Sequence, residues 1–182
     1  MDASQSYTTN PAGFVWDAKF KIARLPLLRI RDKYELGKGY MFGKLLGIVT
    51  IIDMKGDELD QGAMVRYLNE IMWFPTAYLS ENISWKELDD YTVQAIYTEY
   101  GKSVTAQIFI DEAGRMVNFT AKRYREAKGE FSLDTWSTPI TAYADHAGLK
   151  LPSQGTAMWK LSTGDLRYIE FKLTEIEYNR DV

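Results

Sequence analysis

Hydrophobic and polar positions alternate along most of the chain. From Gly13, residues Phe14, Trp16, Ala18, Phe20 and Ile22 fall on one side while Asp17, Lys19 and Lys21 fall on the other. A period of two marks a half-buried strand. After Pro26, Leu28, Ile30, Asp32, Tyr34 and Leu36 share one face, and Arg29, Arg31, Lys33 and Glu35 share the opposite one. Gly37-Lys38-Gly39 predicts a turn. Tyr40 to Ile52 then reads as one strand, first alternating and then continuously apolar, with bends or bulges at Gly43 and Gly47. Asp53 to Leu59 reads as a polar loop.

The period changes between Asp60 and Leu79. Met64, Val65, Leu68, Ile71 and Met72 form one stripe of a 3.6-residue repeat. Gln61, Arg66, Asn69 and Glu70 line the other side. Asp60 is the expected N-cap, since its carboxylate can accept from the free amides of a first turn. Pro75 disfavours helical geometry at Phe74, so the helix is expected over Asp60 to Trp73. Arg66 and Glu70 are spaced as a surface i,i+4 pair. A stripe of this kind must be covered, and a sheet is what the chain offers. It is either ordinary core or, with its methionines and the Trp73-Phe74 pair beside it, an adaptable ligand-facing surface.

Alternation resumes after the helix in strands over 83–88, 91–98, 104–110, 116–125, 130–144, 149–161 and 166–178, joined by short turns that mostly contain glycine. Pro139 marks an edge or a bulge. About ten strands joined by hairpin-length links predict an antiparallel meander rather than a parallel sheet. A sheet of that size curls. The expected fold is therefore β-rich α+β: a single curved antiparallel sheet, a half-barrel, with the helix on its concave face and the whole of residues 1–182 in one domain. The opening MDASQSYTTN is polar and reads as the middle of a longer chain, so an upstream N-terminal segment is expected.

Composition narrows the function. The chain of 182 residues is 46% hydrophobic and 14% aromatic, with five Trp and twelve Tyr. Large rings suit strands and cavities with a polar edge. A net charge of −3 with interspersed signs argues against a nucleic-acid partner, which requires a basic face. The chain has no cysteine, which excludes disulfides, thiolate metal sites and thiol catalysis. The longest apolar run, Leu45 to Ile52, is too short to span a bilayer, and no signal peptide is visible.

Candidate chemistry is sparse. His146, the sole histidine, sits in DHAG with no partner spaced for catalysis or metal binding and is expected as an exposed turn residue. Glu87, Asp89 and Asp90 read as a solvated turn. No nucleophile elbow, phosphate loop, zinc helix or dinucleotide fingerprint is present. GKGYMFGK runs from strand to strand and so lacks the helix N-terminus that binds phosphate. No cofactor and no metal are expected. Asp32 and Arg123 each continue an apolar strand face, where a charge needs a partner. They are expected on the inner face and paired there, as a head-group anchor or as a structural ion pair.

GFVWDA from Gly13, RDKYELGKGYMFGKLLG from Arg31, ELDQG from Glu58, RYLNEIMWFPTAYL from Arg66 and IEYN from Ile176 resemble an uncharacterised prokaryotic family of unknown function. The resemblance covers nearly the whole chain, and WFPTAYL is its most specific piece. It implies members that extend further toward the N-terminus. ISWKELDD from Ile83 and VTAQIFIDEAG from Val104 more weakly resemble the curved sheets of LolA-type lipoprotein carriers. That likeness implies an acyl chain held between a half-barrel and covering helices.

Three functions remain open. The leading one is non-enzymatic binding of an apolar or amphipathic ligand, a lipid or acyl chain, between helix and sheet. Its lining would be Trp16, Phe42, Met64, Leu68, Met72, Trp73 and Phe74, with Asp32 and Arg123 as polar anchors. The second is an interaction module with a filled core, recognisable by a packed interior and an exposed apolar patch. The third is an enzyme using Asp32 or Glu70.

Overall fold

The computed structural model describes residues 2–22, 25–146 and 148–179. The described residues are β-rich, with two antiparallel sheets and one α-helix. The single sheet of about ten strands expected from the pattern is instead one of five strands and one of eight, thirteen strands among the described residues. Three differences make up the count. The polar opening pairs as a strand of its own. The expected strand over 40–52 is a hairpin turning at Leu46-Gly47. The expected strand over 130–144 breaks at Thr138-Pro139.

The chain divides into two compact units. The first comprises Met1–Leu68, Tyr97–Val104 and Tyr124–Phe131; the second comprises Asn69–Ile96, Thr105–Arg123 and Ser132–Val182.

In the first unit, strands β1 (Asp2–Thr9), β2 (Ala12–Ile22), β3 (Leu25–Glu35), β4 (Lys38–Leu45) and β5 (Val49–Lys55) pair in chain order. The register sets residues side by side across the sheet. Gln5, Trp16, Asp32 and Met41 form one row, and Tyr7, Phe14, Tyr34 and Gly39 form the next on the same face. The opposite face carries the row Lys19, Arg29, Lys44 and the row Ser4, Asp17, Arg31, Phe42, Asp53. The expected bulge at Gly43 is present as a register shift between Gly43 and Lys44. The side chains of Lys21 and Ile22 lie outside the described residues.

Helix α1 (Asp57–Glu70) covers the first of these faces over its length within the unit. It begins three residues before the expected start, with Asp57, Glu58 and Asp60 in its first turn, where acidic side chains suit the helix dipole. Asp60 is not the cap. It lies inside the helix, fully buried, and its Oδ1 accepts the Gly39 amide at 2.8 Å. Lys38 donates to Oδ2 at 3.0 Å, and Lys102 also donates there. The helix and the start of β4 approach so closely that a Cβ on Gly39 would collide with the Leu59 carbonyl oxygen. Glycine is required at that position for the space it leaves. A ring cluster of Phe14, Tyr34, Tyr67 and Tyr97 completes this core, with centroids 5.6–6.2 Å apart.

The second unit holds the regular helix's end and most of the larger sheet. The helix passes into 3-10 geometry over Ile71–Trp73, close to the expected stop, and Pro75 opens a further 3-10 segment to Leu79. Strands β6 (Ile83–Asp89), β7 (Thr92–Glu99), β8 (Lys102–Ile110), β9 (Met116–Ala127) and β10 (Glu130–Ser137) follow one another across the sheet. The long strand β12 (Leu149–Leu161) pairs with β11 (Ile140–His146) through its first half and with β10 near its end; β13 (Gly164–Lys172) also pairs with it. Thr138 donates to Asn69 at 2.7 Å, tying the last turn of α1 to the break between β10 and β11.

Candidate functional site

The helix stripe is filled core. Met64, Leu68, Ile71 and Met72 are 0–4% exposed, and Phe74 is also buried. Trp73 is anchored rather than free: its Nε1 donates to the Pro152 carbonyl at 2.9 Å, its carbonyl accepts from Tyr178 at 2.6 Å, and Phe171 stands edge-on to its ring at 5.3 Å.

Asp32 lies on the inner face as expected and is buried, but its ion-pair partner is Arg66, not Arg123. Arg66 donates to its Oδ2 at 2.7 Å and to Gln5 Oε1 at 2.8 Å. The guanidinium also lies over the rings of Phe14 and Trp16, at 4.8 and 5.3 Å. The register explains this box, since Gln5, Trp16 and Asp32 are neighbours in one row under the helix. Arg66 was expected on the solvent side with Glu70. One turn of helix above a strand carrying an inward Asp was the available signal, because a buried carboxylate calls for a cation within reach.

In the second unit, Arg123 is half-buried among aromatic rings. It lies 4.7 Å over Trp136 and 5.9 Å over Trp159, and Nη1 is 3.4 Å from the Tyr168 hydroxyl. That hydroxyl also accepts from Trp136 Nε1 at 2.9 Å. Cation–π contact of this kind suits a guanidinium held at a sheet face. His146 is the last residue of β11 rather than an exposed turn residue; it is half-buried, and its Nε2 is buried with no hydrogen-bond partner among the described residues. Ala147 beside it lies outside the described residues.

Two titratable clusters in the first unit serve the fold. Tyr34 and Tyr97 both donate to Glu99 Oε2, at 2.9 and 2.6 Å. Burial, and then the carboxylate they share, push both phenols far above their ordinary range. At Asp60 burial pushes the carboxyl up, but the bonds from Lys102, the Gly39 amide and Lys38 outweigh it and hold the group below the usual carboxylate range.

The remaining nominated residue, Phe42, stands on the outer face of the five-stranded sheet. With Arg29, Arg31, Lys44 and Gly47 it lines a groove of about 290 Å³. Asp17 accepts from both arginines, from Arg31 at 2.8 Å and from Arg29 at 3.1 Å. The Arg31 guanidinium holds the Asp17 carboxyl below its ordinary range against the opposing effect of burial, and Arg29 adds to this. Lys44 lies over the Phe42 ring at 5.6 Å. Beyond the groove the β4–β5 hairpin is apolar and open: Leu46 is 60% exposed, Ile48 81%, Val49 55% and Ile51 50%. Leu46 and Gly47 have φ of 51° and 74°, and Ile48 N donates to Leu45 O at 3.1 Å. Where two successive central residues of a hairpin turn take positive φ, Asn or Asp followed by Gly is favoured over leucine.

The model of one family, described as a family of unknown function (DUF6544), matches residues 1–171. The chain belongs to that family. The uncharacterised-family resemblance of the sequence motifs is thereby shown, and DUF6544 carries no assigned activity. No curated protein matches the chain, and no solved structure does, so the likeness to LolA-type carriers finds no support there. Among the described residues, no helix is long and apolar enough to cross a membrane, and no group of three or more His, Asp or Glu side chains is placed to hold a metal ion.

Proposed function

We propose that this DUF6544 chain is a non-enzymatic binding module that docks through the outer face of its five-stranded sheet and the β4–β5 hairpin. One observation carries the reading. The apolar residues nominated on the helix are packed away, whereas Leu46, Ile48, Val49 and Ile51 stand in solvent beside a cationic groove. Exposed aliphatic side chains grouped on one hairpin do nothing for the fold and mark a contact surface. The ligand class expected from the sequence, apolar or amphipathic, is retained. Its place moves from the helix stripe to the groove of Phe42, where a ring and three cations can meet a molecule with an apolar part and a negative head. Asp32 and Trp16 then act as structural supports of Arg66.

Anilinonaphthalene sulfonate is an apolar anion that fits this description. It is expected to bind the full chain with enhanced fluorescence, and Phe42→Ala with Ile48→Asp is expected to abolish the signal while circular dichroism stays unchanged. No binding to the wild type, or equal binding to the double variant, would overturn the proposal.

A further inference from the structure

We infer that the docking partner is the surface of an anionic lipid bilayer, with the β4–β5 hairpin inserted at the interface and the cationic row behind it set against the lipid head groups. The inference rests on the proposed docking surface and names what covers it.

Charge is the first ground. Lys19, Arg29 and Lys44 are direct neighbours across β2, β3 and β4. Like charges placed side by side on a sheet oppose its stability. Arg31 adds a fourth cation in the next row. The acidic positions in the two rows are Asp2, the β1 neighbour of Lys19, Asp17, which holds Arg29 and Arg31, and Asp53 opposite Phe42, three against four cations. Asp17 fixes the two guanidiniums side by side without cancelling the patch. A row of cations that weakens its own sheet is explained by an anionic partner, which meets the Lys19 and Lys44 ammonium groups and the guanidinium charge that one Asp17 carboxylate leaves uncancelled.

Depth is the second ground. Leu46, the first residue of the turn after β4, lies at most about 7 Å beyond Lys44, two residues at the rise of a strand. Interfacial segments bury their apolar side about 5–10 Å below the head groups. When Leu46, Ile48 and Val49 reach the acyl boundary, Lys44 and Arg29 therefore stand at phosphate level. Phe42 and Arg31 stand one row further from the tip, on the head-group side of Lys44 and Arg29. A soluble protein partner would bury the tip equally well, but it would not account for the spacing between apolar tip and cationic row.

The test is co-sedimentation of the full chain with vesicles of phosphatidylcholine and with vesicles of equimolar phosphatidylcholine and phosphatidylserine. The wild type is expected to sediment with the mixed vesicles, weakly with phosphatidylcholine alone, and to be released by salt, which screens exposed charge. Ile48→Asp should abolish sedimentation. Lys19→Gln with Lys44→Gln should weaken it about five-fold per cation removed. Both variants change exposed positions, so circular dichroism should match the wild type. Absence of sedimentation, equal sedimentation with both vesicle types, or retention in Ile48→Asp overturns the inference. If sulfonate-probe binding survives while vesicle binding fails, the bilayer is wrong and the docking surface stands. If sedimentation velocity then shows the wild type as a dimer and Ile48→Asp as a monomer, the occupant is a second copy along the β5 edge. Loss of both probe and vesicle binding removes both readings.

Discussion

Two apolar surfaces of the first unit differ in everything but composition. The stripe of α1 with the inner sheet face is close-packed, and each polar group in it is answered: Asp32 by Arg66, Asp60 by Gly39, Lys38 and Lys102, and Tyr34 by Glu99. The β4–β5 hairpin presents four aliphatic side chains to solvent, two from its turn and two from β5, backed by a row of like charges. The first surface is explained by the fold. The second is explained only by something outside it. The contrast separates what stabilises this chain from what it does.

Arg66→Met leaves the buried Asp32 carboxylate unpaired, and urea unfolding should show a loss of about 3–5 kcal/mol. Combining it with Asp32→Leu should recover much of that loss, since an apolar pair of similar volume avoids the desolvation cost. Leu68→Ala should cost about 2–5 kcal/mol by the same measurement, through lost burial and the cavity left behind. An effect under ~1 kcal/mol at Leu68 would mean that the stripe borders open space and would return the ligand to the helix.

Asp60→Ala removes three hydrogen bonds from a buried carboxylate and should cost about 1–3 kcal/mol. Its pH signature sharpens the assignment. The folded-state pKa is held below that of the unfolded chain, so the contribution is fully present above the ordinary carboxylate value near ~4. It is lost as pH falls through the lower folded value. The stability gap between wild type and Asp60→Ala should therefore be flat near neutrality and narrow on acidification. At the other extreme, Ile48→Asp should change stability by no more than about 0.5 kcal/mol, because the side chain packs against nothing the fold needs.

How far the sequence carried this depended on periodicity. The alternation of Phe14, Trp16 and Ala18, and of Asp32 and Tyr34, named the inner face correctly, and the 3.6-residue repeat located α1. Pro75 set the stop near Trp73, where the 3-10 turn prolonging α1 ends, three residues after the regular helix stops at Glu70. Leu45 to Ile52 was misread because a continuous apolar run has no period: it looks the same as a buried strand and as an exposed hairpin. Only the two positive-φ residues at Leu46-Gly47 separate the two, and leucine gives no warning of them. The β1 strand was missed for the converse reason, since DASQSYTT has little apolar alternation and is held by pairing to β2. Asp32 was rightly seen as needing a cation. Choosing Arg123 over Arg66 failed because the sequence does not say which helix turn passes above which row. The groove at Arg29, Arg31 and Lys44 was equally hidden, because alternating cations on a strand read as an ordinary solvated face until register sets them side by side.

The measurement closest to the central claim is native mass spectrometry of the purified wild type and of Ile48→Asp, each compared with its denatured mass and with a solvent extract. A filled interior with an external docking surface predicts that Ile48→Asp shows the mass of the chain alone, and that any lipid carried by the wild type is absent from the variant. A lipid or fatty acid retained in stoichiometric amount by Ile48→Asp would contradict the account and place the ligand inside the fold, against the helix.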